Sequence, residues 1–115
     1  RQFYYFDNYQ IEPKDNEPLA IGGLITTEKV YEYNPIPDEL KNKKEALVMG
    51  GQGQLWTEYI ENIKHLEYMG FPRICALAEG LWLDLDKKNL KEFLLRLKFH
   101  RERLKFLNVN AHPLP

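Results

Sequence analysis

The 115-residue chain has a single cysteine, Cys75, so it can form no internal disulfide and offers no second thiol for zinc or redox chemistry. Nor does it carry an excess of charge of one sign: 16 Lys and Arg against 17 Asp and Glu leave a formal net charge of -1. That balance removes the basic footprint on which nucleic-acid affinity rests, and no DNA or RNA partner is expected. Long apolar runs are also missing. The uncharged segment from Val48 to Thr57 is broken by glycines and glutamines and falls well short of the roughly 20 apolar residues that cross a bilayer, so no membrane span is expected. The chain opens Arg1, Gln2, Phe3 without a basic and then apolar leader, and no signal peptide is expected within it. With no disulfide to decide, cytosol, periplasm and a surface lipoprotein all remain compatible.

What the chain does have is enough apolar material for a core. At 43% hydrophobic and 13% aromatic, it reads as a folded unit of ordinary domain size. The aromatic run Phe3-Tyr4-Tyr5-Phe6 predicts a buried strand over residues 2–6, ended by Asp7 and Asn8. Residues 8–23 hold Pro13, Pro18 and the pair Gly22-Gly23 among charges, which predicts a long surface loop. Thr26 or Thr27 can cap a short helix through Val30 and Tyr31, stopped by Pro35 and Pro37. A polar linker at 38–45 follows, its lysines read as a solvated face.

Ala46-Leu47-Val48-Met49 predicts a second buried strand running into a glycine-rich end. Ile60, Ile63, Leu66 and Met69 recur at three and predict a helix that Pro72 interrupts; a second helix from Pro72 to about Leu83 fits proline at a helix start. Asn89 with Glu92 has capping-box spacing and predicts the start of a long amphipathic helix, with Leu90, Phe93, Leu94, Leu97, Leu104 and Leu107 on one stripe. The order strand, loop, short helix, strand, helices, long helix argues for parallel βα units and an α/β fold. Two strands covered on one side leave a sheet face and both edges bare. The alternative is an α+β domain in which the helices supply most of the core.

Several chemistries are excluded by spacing. Gly51-x-Gly53 runs on to Trp56 where a dinucleotide fingerprint needs its third glycine, and no Gly-Lys-Ser/Thr follows. These glycines are instead expected to permit close backbone approach. His65-Leu66-Glu67 lacks the paired cysteines of a zinc deaminase, and neither H-E-x-x-H nor G-x-S-x-G occurs. No metal and no cofactor are expected. Cys75, set among Ile74, Ala76 and Leu77, reads as a small buried hydrophobe and not as a nucleophile.

A repeated pattern remains, an aromatic ring plus a carboxylate at the end of each predicted strand: Tyr5 with Asp7, and Trp56 with Glu58. Residues two apart on an extended backbone point the same way, so both pairs can face one pocket. A ring covers the apolar face of a sugar, while a carboxylate accepts strong hydrogen bonds from vicinal hydroxyls. The competing reading of the same residues makes the rings core aromatics and the acids caps.

Tyr5-Phe6-Asp7, the segment Gly50-Gly51-Gln52-Gly53-Gln54-Leu55-Trp56-Thr57-Glu58-Tyr59, and Pro72-Arg73-x-x-Ala76-x-Ala78-Glu79-x-x-Trp82 together resemble the C-terminal part of the catalytic domain of glycoside hydrolase family 20, the β-N-acetylhexosaminidases. Phe93, Arg96-Leu97, His100, Arg103-Leu104 and Val109-Asn110 are similar to that family's closing helix. The resemblance implies that residues 1–115 are the last two to three βα units of a (β/α)8 barrel, with strands seven and eight ending at Asp7 and Glu58. It further implies a substrate-assisted retaining hydrolysis of terminal, non-reducing N-acetylglucosamine or N-acetylgalactosamine, an exception to the two-carboxylate scheme.

In that scheme Tyr5 positions the substrate's acetamido group, while Asp7, Trp56 and Glu58 bind the sugar. The family's Asp-Glu catalytic pair falls on the fourth strand, upstream of Arg1, and the chain is read as lacking it. Arg73, Glu79, Trp82, Arg96 and His100 are expected to serve packing and buried ion pairing. The implied partners are an N-acetylhexosamine-terminated glycan and the remainder of the barrel, and a piece with bare edges is expected to self-associate. The family setting implied is periplasmic, cell-surface or secreted. A self-standing carbohydrate-binding or protein-interaction module, without chemistry, is the rival function.

Overall fold

A computed structural model describes residues 3–42 and 47–113. Among them are four α-helices: α1 (Thr27–Glu32), α2 (Ile63–Gly70), α3 (Arg73–Trp82) and α4 (Leu90–Phe106). Single 3-10 turns lie at Lys14–Asn16, Asp38–Leu40 and Leu85–Lys87. The helix starts follow local chemistry. Thr26 Oγ1 accepts the Lys29 amide at 3.2 Å, Asn62 Oδ1 that of His65 at 2.9 Å, and Asn89 Oδ1 that of Glu92 at 3.2 Å, each satisfying an amide that the helix leaves open. Pro72 stands one position earlier than expected, as the residue before α3.

The two predicted strands are corrected. The run at 2–6 is reduced to one parallel bridge, Tyr5 opposite Gln54, with Gln2 outside the described residues. The backbone of residues 3–6 still alternates: Tyr4 and Phe6 are buried, Phe3 and Tyr5 half-buried. Among the described residues of the second run, 47–49, no strand forms. Ala46 lies outside the described residues, and Leu47 and Met49 are 69% and 99% exposed. The pairing sits further along because Gly51 and Gly53, not the apolar run, can approach the neighbouring rings. A Cβ at Gly53 would lie 2.8 Å from Phe6 Cε2 and 2.9 Å from Leu77 Cδ2, closer than packed carbons tolerate. A second parallel bridge, Tyr9 opposite Leu24, closes the predicted loop on itself.

The core gathers Tyr4, Phe6 and Ile25 from these segments with Val30 and Tyr31 of α1, Ala76 of α3, and Phe93 and Leu97 of α4. Tyr31 and Phe93 stack at 4.4 Å between centroids, and α1 packs chiefly against α3. Bridged parallel segments and helices share one core, to which the helices contribute Val30, Tyr31, Ala76, Phe93 and Leu97, the larger part. The stripe on α4 buries Phe93, Leu97 and Leu104 as expected. Leu107 does not join it, being 66% exposed, because the helix ends at Phe106 and Leu107 leaves its phase. Among the described residues no helix is long and apolar enough to cross a membrane.

Candidate functional site

The Tyr5–Gln54 bridge brings the two ring-and-acid pairs to one rim. Phe6 N donates to Gln54 O and Gln54 N donates to Tyr4 O, both at 2.8 Å, so Asp7 and Trp56 each follow two residues after paired positions. Beyond the bridge the backbone turns at Phe6 and Asp7, so a continuing strand is not what aligns Tyr5 with Asp7. All four residues nonetheless line one open pocket of about 960 Å³, with Asn8 and the segment 21–25 as its other wall. Trp56 is 56% exposed and Glu58 is exposed, whereas Asp7 is 7% exposed. Trp56 and Glu58 are thus open to the pocket, whereas Asp7 is buried at its edge and Tyr5 packs in part against the core.

The wall opposite rests on Gly22 and Gly23. Gly23 has φ 63°, a left-handed conformation that glycine adopts freely, and a Cβ there would collide with the Asn8 side chain. Asn8 Nδ2 in turn donates to Gly22 O at 2.8 Å. The sequence marked this glycine pair only as loop; the adjacent glycines themselves, which admit positive φ, were the available sign of a tight wall.

Beneath the pocket lies Arg73, with no exposed surface. Its guanidinium donates to Asn8 O at 3.0 Å, to Ile25 O at 3.1 Å and to Phe6 O, and Nε donates to Met69 O at 3.1 Å. Bonds to the carbonyls on either side of Asp7 fix the turn that carries it, and the bond to Ile25 ties on the far wall. Burial pulls the guanidinium down to about 9, opposed by the negative charges of Asp7 and Glu17. The expectation of a structural Arg73 holds, with backbone carbonyls as its direct partners.

Glu79 accepts the Tyr31 hydroxyl at 3.1 Å and pairs with Arg96, linking α1, α3 and α4. Burial raises the Tyr31 phenol above its ordinary range. Trp82 departs from the expected packing role: at the last position of α3 it is 89% exposed. His100 is half-buried on α4. The Cys75 thiol is half-buried and pushed up by burial, the opposite of an activated nucleophile.

One reading of the sequence needs correction. An adjacent Asp-Glu does occur, Asp38-Glu39, so the chain is not devoid of that dipeptide. Both residues are exposed in the 3-10 turn after Pro37, Asp38 is ion-paired with Lys41, and neither lines the pocket. Among the described residues no group of three or more His, Cys, Asp or Glu is gathered as a metal site.

Parallel bridged segments backed by helices, with acids and rings lining one pocket, place the chain in the α/β class. Within that class the chain belongs to glycosyl hydrolase family 20, whose catalytic-domain profile matches residues 1–84. It is 43% identical over 112 residues to a beta-hexosaminidase of Porphyromonas gingivalis, covering 96% of this chain and 14% of that protein. A beta-hexosaminidase of Akkermansia muciniphila is 31% identical over 104 residues, 88% of this chain and 20% of the relative. The crystal structure of a family 20 exo β-N-acetylglucosaminidase from Vibrio harveyi, in complex with N-acetylglucosamine, superposes with a TM-score of 0.81 at 31% identity. That match covers 97% of this chain and 18% of the other. The chain thus spans between 14% and 20% of the length of these relatives.

Proposed function

We propose that residues 1–115 are the C-terminal portion of a family 20 catalytic barrel, carrying its seventh and eighth strands and the helices that follow. The parent is an exo-acting β-N-acetylhexosaminidase that removes terminal N-acetylglucosamine or N-acetylgalactosamine with retention. The convergence of Tyr5, Asp7, Trp56 and Glu58 on one pocket is the observation that carries this reading.

In the reaction, the substrate's acetamido oxygen attacks the anomeric carbon, the glycosidic bond breaks, and a proton from an acid supplied upstream goes to the leaving oxygen. Water then opens the cyclic intermediate. Tyr5 donates its hydroxyl to the acetamido oxygen and holds it in line, an orientation effect that removes entropy from the barrier. Trp56 walls the acetamido methyl and sugar face. Glu58 and Asp7 accept hydrogen bonds from hydroxyls on the C4 and C6 side. The isolated 115 residues, without the acid, bind and position but do not hydrolyse.

An aryl N-acetyl-β-glucosaminide assay of the piece and of its full-length parent tests this. Turnover by the parent alone is expected. Hydrolysis by the piece would refute the assignment of the acid to upstream sequence, and tight calorimetric binding of N-acetylglucosamine by an inactive piece whose parent is also inactive would favour a binding module.

A further inference from the structure

The pocket wall at 21–25 belongs to a segment that leaves the site at Gln10 and returns to it at Ile21. Midway stands Glu17, whose side chain is only 6% exposed. A buried carboxylate is costly unless it is paired. Glu17 Oε1 accepts the Tyr68 hydroxyl of α2 at 2.8 Å and lies 3.1 Å from Nε2 of His112, itself only 6% exposed, from the tail beyond α4. An ionised carboxylate can only accept, so Nε2 carries the hydrogen.

The tail is fixed before it reaches Glu17. His112 N donates to Phe71 O at 2.9 Å, and its ring lies against that of Tyr68 with centroids 4.8 Å apart. Gln10 Nε2 donates to Tyr68 O at 2.8 Å, anchoring the start of the same segment. Between Glu17 and Leu24 few bonds hold the segment to the pocket. Ile21 N reaches Asp7 O and Tyr9 N reaches Gly22 O only at 3.4 Å, and the bonds of ordinary length are those of Asn8 Nδ2 to Gly22 O at 2.8 Å and Lys29 Nζ to Leu24 O at 3.0 Å, both at the far end of the segment from Glu17.

We propose that Glu17 and His112 are positioning residues for the sugar pocket, their buried contact pinning the wall at 21–24 to the tail after α4. The proposal rests on the pocket being the sugar site. Pro18, directly after Glu17, fixes φ and passes the anchor on towards buried Ala20 and the wall. Loosening the latch leaves Tyr5 and the acids in place but lets the opposite wall drift, so substrate binding suffers before the chemical step does.

The test compares His112→Ala with His112→Gln in the full-length parent, since glutamine keeps an amide donor near the position of Nε2. Amide hydrogen exchange is followed at 19–25, and kcat and KM are measured on an aryl N-acetyl-β-glucosaminide. Expected for His112→Ala is faster exchange confined to 19–25 and a KM raised about fivefold with kcat nearly unchanged, both restored in His112→Gln. Unchanged exchange at 19–25 overturns the proposal. So does acceleration spread over the whole protein without rescue by glutamine, which would make His112 a general fold contact. Faster local exchange with KM unmoved in an active parent overturns the positioning role. A parent inactive on every N-acetylhexosaminide would defeat the functional reading instead, and the latch would then stand or fall on the exchange result.

Discussion

Tyr5 and Gln54 face one another across a parallel bridge, joined by two backbone hydrogen bonds of 2.8 Å from the residues around them. From that one register, two rings and two carboxylates that lie about fifty residues apart in sequence come to line a single pocket. The full-length parent, which supplies the rest of the barrel, is the molecule in which the roles of these side chains can be tested.

Tyr5→Phe removes only a hydroxyl. If that hydroxyl aligns the acetamido oxygen for attack, kcat should fall at least about tenfold while KM moves less than about threefold. Steady-state kinetics decide. A raised KM with kcat intact would reassign Tyr5 to plain binding.

Glu58→Gln keeps the shape of the side chain but removes the charge that strengthens its hydrogen bonds to hydroxyls. Losing a charge-assisted bond of about 1.5–3 kcal/mol predicts a kcat/KM lower by about 10- to 100-fold. A change of less than threefold would place Glu58 outside the sugar's reach.

Arg73 and Arg96 should differ sharply as contributors to stability. Arg73→Met strips four carbonyl oxygens of a buried donor and removes the buried positive charge felt by Asp7 and Glu17, at a cost of about 3–5 kcal/mol. Arg96, with a side chain 54% exposed, pairs with Glu79 near solvent, and Arg96→Ala should cost less than about 1 kcal/mol. Urea denaturation of the two variants provides the comparison; equal midpoints would contradict the strut assigned to Arg73.

The isolated 115-residue piece should associate with itself. Trp82, Phe99 and Phe106 are 89%, 75% and 90% exposed, and apolar side chains so bare favour contact with other apolar surface. Sedimentation velocity across a concentration series should show a rising weight-average mass. A monomer at high concentration would show that these rings are tolerated in water.

Much of this was legible from residues that act locally. Thr26 and Asn89 cap helices as their residue types and positions predicted, because capping depends on neighbours three or four residues away, whereas the cap at Asn62 was visible only in the structure. The ring-and-acid pairs were legible as candidate sugar contacts from residue type and spacing. The strands were misjudged where composition was the guide. Leu47 and Met49 look like strand residues but lie exposed, while pairing fell to Gln54 beside glycines that admit Phe6 and Leu77. Arg73 illustrates the same limit from the other side: its helix was predicted, but the carbonyls it serves come from segments 48 to 67 residues away.

The sequence by itself determined the helices, their caps and the chemical character of Tyr5, Asp7, Trp56 and Glu58, since these depend on short-range sterics and on what each side chain can donate or accept. Only the tertiary structure decided that the four share one pocket, that Gly22 and Gly23 build its far wall, that Arg73 meets the carbonyls around Asp7, and that Glu17 meets His112. Those facts turn on which distant carbonyls, acids and rings meet once a common core has excluded water, and no local pattern in the chain encodes that meeting.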